Sequence, residues 1–173
     1  MLMTLRVPVV LLVILLISAC SDQQPQNAPE NESSRTEFLF LDGTTGSLAD
    51  LNGKWTFLNF WSISCPPCYK EMPDLVKLYE EFQSEDFELI GVAMSYDRPD
   101  LVIDTKEKQQ LSYPISPDLN NDINQRFGPV EMIPTTLLLA PDGKVVKKHV
   151  GLATYQQLKS MLLETQAAYN KET

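Results

Sequence analysis

Cys65 and Cys68 are the residues whose type and spacing most directly suggest chemistry. Two thiols separated by two residues can close a small ring, so the pair can cycle between dithiol and disulfide. The run before them, Trp55 to Trp61 (WTFLNFW), is almost continuously apolar and aromatic. That is the pattern of a strand covered on both faces. After them, Met72, Leu75, Leu78, Tyr79 and Phe82 recur at helical spacing. A strand followed at once by a helix puts Cys65 at a helix N-terminus, where partial positive charge favours the attacking thiolate. Cys68, one turn further in, is placed to resolve a mixed disulfide. Pro66 and Pro67 lack N–H groups, so the first backbone donor able to face the Cys65 sulfur is that of Cys68. Fewer donors stabilise a thiolate less, which points to a more reducing pair.

Bland readings of the pair fare worse. A structural disulfide across so short a ring would constrain little of the unfolded chain. A structural zinc site needs about four ligands, and with Cys20 assigned to lipid the mature chain offers only His149 besides this pair. His149 follows Lys147 and Lys148 and reads as a surface strand residue.

The elements around the pair follow from periodicity and turn chemistry. Phe38 to Leu41 reads as a strand, with turns at Asp42-Gly43 and Thr44-Thr45-Gly46 and a helical turn over Ser47 to Leu51. Pro73 interrupts the helix after the cysteines and is expected to kink it. Phe87 to Met94 is a second buried strand. Pro99 to Gln110 reads as a helix and Tyr113 to Ile115 as a short strand. Asp118 can cap a helix carrying Leu119, Ile123 and Phe127 and ending at Gly128. Thr135 to Ala140 and Lys144 to Val150 flank the turn Pro141-Asp142-Gly143 as a hairpin. Thr154 and Gln157 make a capping-box pattern for a last helix. The order predicts an α/β protein with a mixed central sheet, helices on both faces and an N-terminal strand extension. Tyr96 and Asp97 end a strand near the active edge and receive no role.

The first 36 residues read differently. Residues 1–19 carry one charge, Arg6, and an apolar run from Val7 to Ile17. Eleven helical residues span about 16 Å, too short for a bilayer core of about 30 Å, so the segment reads as a signal peptide. Ile17-Ser18-Ala19-Cys20 resembles a bacterial lipobox, which implies lipid on Cys20 and a membrane attachment. Residues 20–36 would then be the lipidated cysteine and a flexible polar tether, and 37–173 the folded domain. With a net charge of −9 and no basic run, the chain is not expected to bind nucleic acid.

Several stretches together resemble the TlpA/ResA/CcmG-like branch of the thioredoxin superfamily. They are Leu51-Asn52-Gly53-Lys54, Phe57-Leu58-Asn59-Phe60-Trp61, Cys65-Pro66-Pro67-Cys68-Tyr69-Lys70-Glu71-Met72-Pro73, Ile133-Pro134-Thr135-Thr136 and Pro141-Asp142-Gly143-Lys144. The resemblance implies a thioredoxin-like fold and an extracytoplasmic, periplasmic thiol–disulfide oxidoreductase acting on protein disulfides. It implies a membrane electron donor of the DsbD/CcdA kind, with apocytochrome c in cytochrome c maturation as the leading substrate class. It makes Pro134 a cis-proline facing the cysteines, and Glu71 an acid that tunes them and moves protons. From spacing alone Glu71 reads equally well as a solvated helix-face acid. Asn59 stands where thioredoxin itself has a buried acid, and Ser64 stands where the family has Trp. No bound cofactor is needed, and a monomer is expected. The alternative is a thioredoxin-like copper-binding or delivery protein, since two thiolates suit Cu(I). Its cysteines are usually spaced one residue further apart.

Overall fold

The computed structural model describes residues 37–83 and 86–172. The apolar leader, Cys20 and the tether lie outside the described residues. Within them, strand β3 (Trp55–Trp61) is buried along its whole length. It sits in the middle of a five-stranded sheet. On one side it pairs in parallel with β4 (Phe87–Ala93), which pairs in parallel with β5 (Ile115–Pro117). On the other it pairs antiparallel with β6 (Thr135–Leu139), which pairs antiparallel with β7 (Val145–Val150). The spatial order is β5-β4-β3-β6-β7.

Alternate residues of β3 feed two cores, because successive side chains of a strand point to opposite faces. Trp55, Phe57 and Trp61 pack with Leu75 and Leu78 of α1 (Pro66–Phe82), Val102 of α2 (Pro99–Lys108) and Leu158 and Leu162 of α4 (Tyr155–Glu172). Leu58 and Phe60 pack with Ile123 of α3 (Asp122–Arg126), Phe38 of β1 (Glu37–Leu39) and Leu48 and Leu51 of a 3₁₀ turn (Leu48–Leu51). Helices therefore cover both faces, and Asn59 is the polar residue of β3 on the face that α1 covers. Helix α1 continues through Pro73 to Phe82.

Three local expectations change. Thr45 and Gly46, read as part of a turn, belong to β2 (Thr45–Ser47), which pairs antiparallel with β1. Residues 42–44 make the reversal instead, with the Asp42 carboxylate accepting the Thr44 N–H at 2.9 Å. β5 begins at Ile115 rather than Tyr113, because its ladder with β4 starts at the Gly91–Ile115 pair; Tyr113 is instead wholly buried in the α1-side core. α3 begins at Asp122, after Asn121 in a left-handed conformation (φ 64°). Asp118 still caps it, but from outside the helix: its carboxylate accepts the N–H groups of Ile123 at 3.0 Å and Asn124 at 2.9 Å. Leu119 is left exposed. The capping box at the last helix forms as expected, with Gln157 Oε1 accepting the Thr154 N–H at 2.8 Å.

Gly91 sits at a tightly packed point of the α1-side layer. A Cβ there would lie 2.5 Å from Ile115 Cδ1, 3.0 Å from Tyr113 Cε2 and 3.2 Å from Trp61 Nε1. Overpacking of this kind typically costs about 1–3 kcal/mol. Gly91→Val is expected to lower stability by about that amount in urea unfolding; an unchanged midpoint would mean the layer has slack to absorb the side chain.

Candidate functional site

The chain leaves the buried end of β3, turns through Ser62 to Ser64, and enters α1 at Cys65. Cys65 has an extended backbone (φ −105°, ψ 96°) and is the N-cap of α1, with prolines filling the next two positions. Its sulfur accepts the Cys68 N–H at 3.2 Å, the donor that the two prolines leave available. Cys65 and Cys68 are joined as a disulfide, with Cα atoms 5.3 Å apart. Both are buried, Cys65 at 6% exposure and Cys68 at 2%. Pro66 and Pro67 are exposed beside them.

The Ile133–Pro134 peptide is cis. β6 runs antiparallel to β3 with Thr135 opposite Phe60, so Pro134 stands at the same end of the sheet as Cys65. The turn before it is held by the Thr135 hydroxyl, which donates to the Met132 carbonyl at 2.6 Å. The Pro134 carbonyl accepts the Gly151 N–H at 2.8 Å.

Glu71 is not a solvated helix-face acid: it is 1% exposed. Its carboxylate accepts the Ala153 N–H at 2.9 Å and the Asn59 side-chain amide at 3.1 Å. The second Asn59 N–H goes to the Thr136 hydroxyl at 2.9 Å, so both donors of that amide are used. Burial pushes the Glu71 carboxyl above its usual range, opposed by these two hydrogen bonds and by the charge of nearby His149. His149 lies opposite Thr136 on β7, half-buried, with Nε2 3.5 Å from the Leu152 carbonyl. Tyr113 also borders this region. Its phenol is pushed well above the ordinary range, by burial first and by the Glu71 charge second.

Sequence reasoning passed over Asp97. It is buried in the loop after β4, where its N–H bonds to the Met94 carbonyl. Its carboxylate accepts the Ser62 hydroxyl at 2.8 Å and the Ile63 N–H at 3.0 Å. Ser62 Oγ is 2.9 Å from Ser64 Oγ and accepts the Ser64 N–H at 3.1 Å. Asp97 thus fastens the turn that delivers Cys65. The available signal was an acid just past a strand ending at the active edge, together with two serines in the turn before the cysteine. Among the described residues no group of three or more His, Cys, Asp or Glu side chains could hold a metal ion.

Because Glu71 binds its proton more tightly in the folded chain than in the unfolded one, its ionisation opposes folding. The stability it contributes is complete below the ordinary glutamate value of 4.5 and is lost as pH rises through the raised folded value. Urea unfolding from pH 4 to pH 8 is expected to show wild type losing stability relative to Glu71→Gln as pH rises. A constant difference across that range would mean the burial does not act on the charge.

A sequence model of the AhpC/TSA family matches residues 26–148. The thiol–disulfide oxidoreductase ResA of Halalkalibacterium halodurans is 36% identical over 123 residues, spanning 70% of this chain and 68% of that one. ResA of Bacillus subtilis is 33% identical over 127 residues, spanning 72% of this chain and 70% of that one. The crystal structure of StoA from Bacillus subtilis superposes with a TM-score of 0.65 at 29% identity, covering 72% of this chain and 93% of that one. Taken with the Cys65–Cys68 pair at the head of α1 and the mixed sheet behind it, these likenesses place the chain in the AhpC/TSA family of thioredoxin-fold proteins, among its ResA-like members.

Proposed function

We propose that this chain is an extracytoplasmic thiol–disulfide oxidoreductase that reduces disulfides in proteins, tethered to a bacterial membrane by lipid on Cys20. The observation that carries the chemistry is the Cys65 sulfur at the head of α1, paired with Cys68 and accepting its N–H. The ResA relatives, named as thiol–disulfide oxidoreductases, support the same reading. The tether and its location rest on the leader and the Cys20 pattern.

In the forward direction the reduced pair starts the cycle. The Cys65 thiolate attacks one sulfur of the substrate disulfide. A Cys65–substrate bond forms, the substrate S–S bond breaks, and one substrate thiolate leaves. Cys68 then loses its proton and attacks the Cys65 sulfur, which forms the Cys65–Cys68 disulfide and releases the second substrate thiolate. Two electrons pass from the pair to the substrate. Glu71, three residues after Cys68 on α1 and with its proton affinity raised by burial, is the group suited to take the Cys68 proton. Pro134 helps dock an extended substrate segment beside Cys65. The oxidised pair is the product state and must be re-reduced; a membrane donor of the DsbD/CcdA kind fits that need, with apocytochrome c as the substrate class.

Donor scarcity sets the direction. Pro66 and Pro67 leave the Cys65 sulfur the Cys68 N–H, and a thiolate with few donors is less stabilised than one at a proline-poor helix start. Equilibration of the full chain against glutathione or thioredoxin buffers is expected to give a potential near or below about −250 mV, in the range of thioredoxin. A value near about −120 mV, that of a strong oxidant, would mean the chain donates disulfides, and the reductase reading would fall. In the same preparation Cys68→Ser should accumulate mixed disulfides with client proteins and Cys65→Ser should not; the reverse pattern would exchange the roles of attacker and resolver.

A further inference from the structure

Ser64 stands directly before the attacking cysteine, exposed, at the end of a chain of hydrogen bonds that starts at buried Asp97. The protons in that chain can be placed by counting. The carboxylate of Asp97 can only accept, and one of its oxygens takes the Ile63 N–H at 3.0 Å. The other faces the Ser62 hydroxyl at 2.8 Å, so Ser62 must spend its single hydrogen there; otherwise two lone pairs would confront each other out of reach of water. Ser62 Oγ is left with acceptor capacity alone. One lone pair takes the Ser64 N–H at 3.1 Å, and the other takes the Ser64 hydroxyl hydrogen at 2.9 Å. The Ser64 hydroxyl hydrogen therefore points inward, and the oxygen turns its lone pairs to solvent.

We infer that Ser64 is a fixed hydrogen-bond acceptor on the docking surface, selecting protein substrates that present a free backbone N–H next to the attacked cysteine. The inference rests on the oxidoreductase reading above and adds to it a substrate preference and three residues: Ser64 as the contact, and Ser62 and Asp97 as positioning residues. Neighbouring Cα atoms lie about 3.8 Å apart, so whatever bonds to Cys65 brings its own backbone past Ser64. The rest of this rim fits a polypeptide segment. Tyr96, beside Asp97, is 64% exposed, and Met132, two residues before Pro134, is 65% exposed. Both offer apolar contact from loops at the Cys65 end of the sheet. Because its hydrogen is committed to Ser62, the Ser64 hydroxyl cannot donate to the Cys65 thiolate. It therefore acts on which substrate binds and leaves the potential of the pair untouched.

The test uses the pre-reduced full chain in detergent with two oxidants. One is 5,5′-dithiobis(2-nitrobenzoate), which has no N–H group. The other is a disulfide-bonded peptide, unmodified or N-methylated at one backbone amide at a time beside its cysteines. A single hydrogen bond exchanged with water predicts that Ser64→Ala raises the peptide KM about three- to tenfold. The kcat, the Cys65–Cys68 potential and the rate with the aromatic disulfide should not change. Ser64→Thr, which keeps the hydroxyl, should restore the KM. One N-methylation should cost the wild type the same factor and cost Ser64→Ala nothing. In Asp97→Asn the amide can donate to Ser62, which reverses the chain and leaves the Ser64 oxygen one outward lone pair beside an outward hydrogen in place of two lone pairs, so the N-methylation penalty should shrink there. A wild-type KM in Ser64→Ala, or equal N-methylation penalties in both proteins, would overturn the assignment while exchange with the aromatic disulfide stays intact. A wild-type chain that reduces neither oxidant would instead sink the oxidoreductase reading, and this inference with it.

Discussion

A carboxylate removed from water costs several kcal/mol unless hydrogen bonds replace its hydration, and the α1 side of this molecule is arranged around such a group. Glu71 comes from α1. Its partners come from β3 through the Asn59 amide and from the loop after β7 through the Ala153 N–H. Asn59 is itself held by Thr136 on β6. Four separate elements must therefore be in register before the acid is satisfied, and of these α1 carries Cys68 and is capped by Cys65, β3 leads into the turn before it, and β6 follows Pro134. The polar cluster fixes where α1 sits on the sheet, and so where its first turn presents the cysteine pair. The acid is satisfied by two donors yet still holds its proton more tightly than a solvated glutamate does.

Much of this was legible beforehand, and the exceptions share a cause. β3, α1, the hairpin and the capping box at Thr154 were visible because each is dictated by neighbours in sequence: an apolar run, a 3.6-residue period, a Pro-Asp-Gly turn, a hydroxyl three residues before a glutamine. Cys65 and Cys68 were visible because their chemistry is carried by spacing. The burial of Glu71 was not, because periodicity says which residues share a helix face but not what covers it. Asp97 was missed because its partners lie 34 and 35 residues earlier. Asp118 was recognised as a cap, yet it reaches past Asn121 to residues five and six positions ahead, a geometry that the left-handed turn makes possible. β2 escaped because Thr-Gly-Ser has turn composition, and its pairing with β1 supplied the strand character.

The head of α1 combines opposing influences on one sulfur. The helix terminus favours negative charge there, while the two prolines withhold the N–H groups that would make that influence strongest. One bond, from the Cys68 N–H, remains. Cys68 thus also supplies the backbone donor to Cys65, and the two residues are coupled through main chain as well as through their sulfurs.

The sheet ends differently on its two sides. At β5, only three residues long, the chain just after β1 crosses close by and the Leu41 N–H donates to the Ile115 carbonyl at 3.1 Å. Among the described residues β7 is the open edge, and it carries exposed Lys147 and Lys148 beside His149. A row of unpaired backbone groups invites another chain to add a strand, and lysines on such an edge oppose that by charge and by the cost of desolvating them. If extended substrate segments dock at the cysteine end as proposed, this separates two kinds of contact. Segments can be received at the cysteine end of the sheet, while its flank resists accretion of the same unfolded chains.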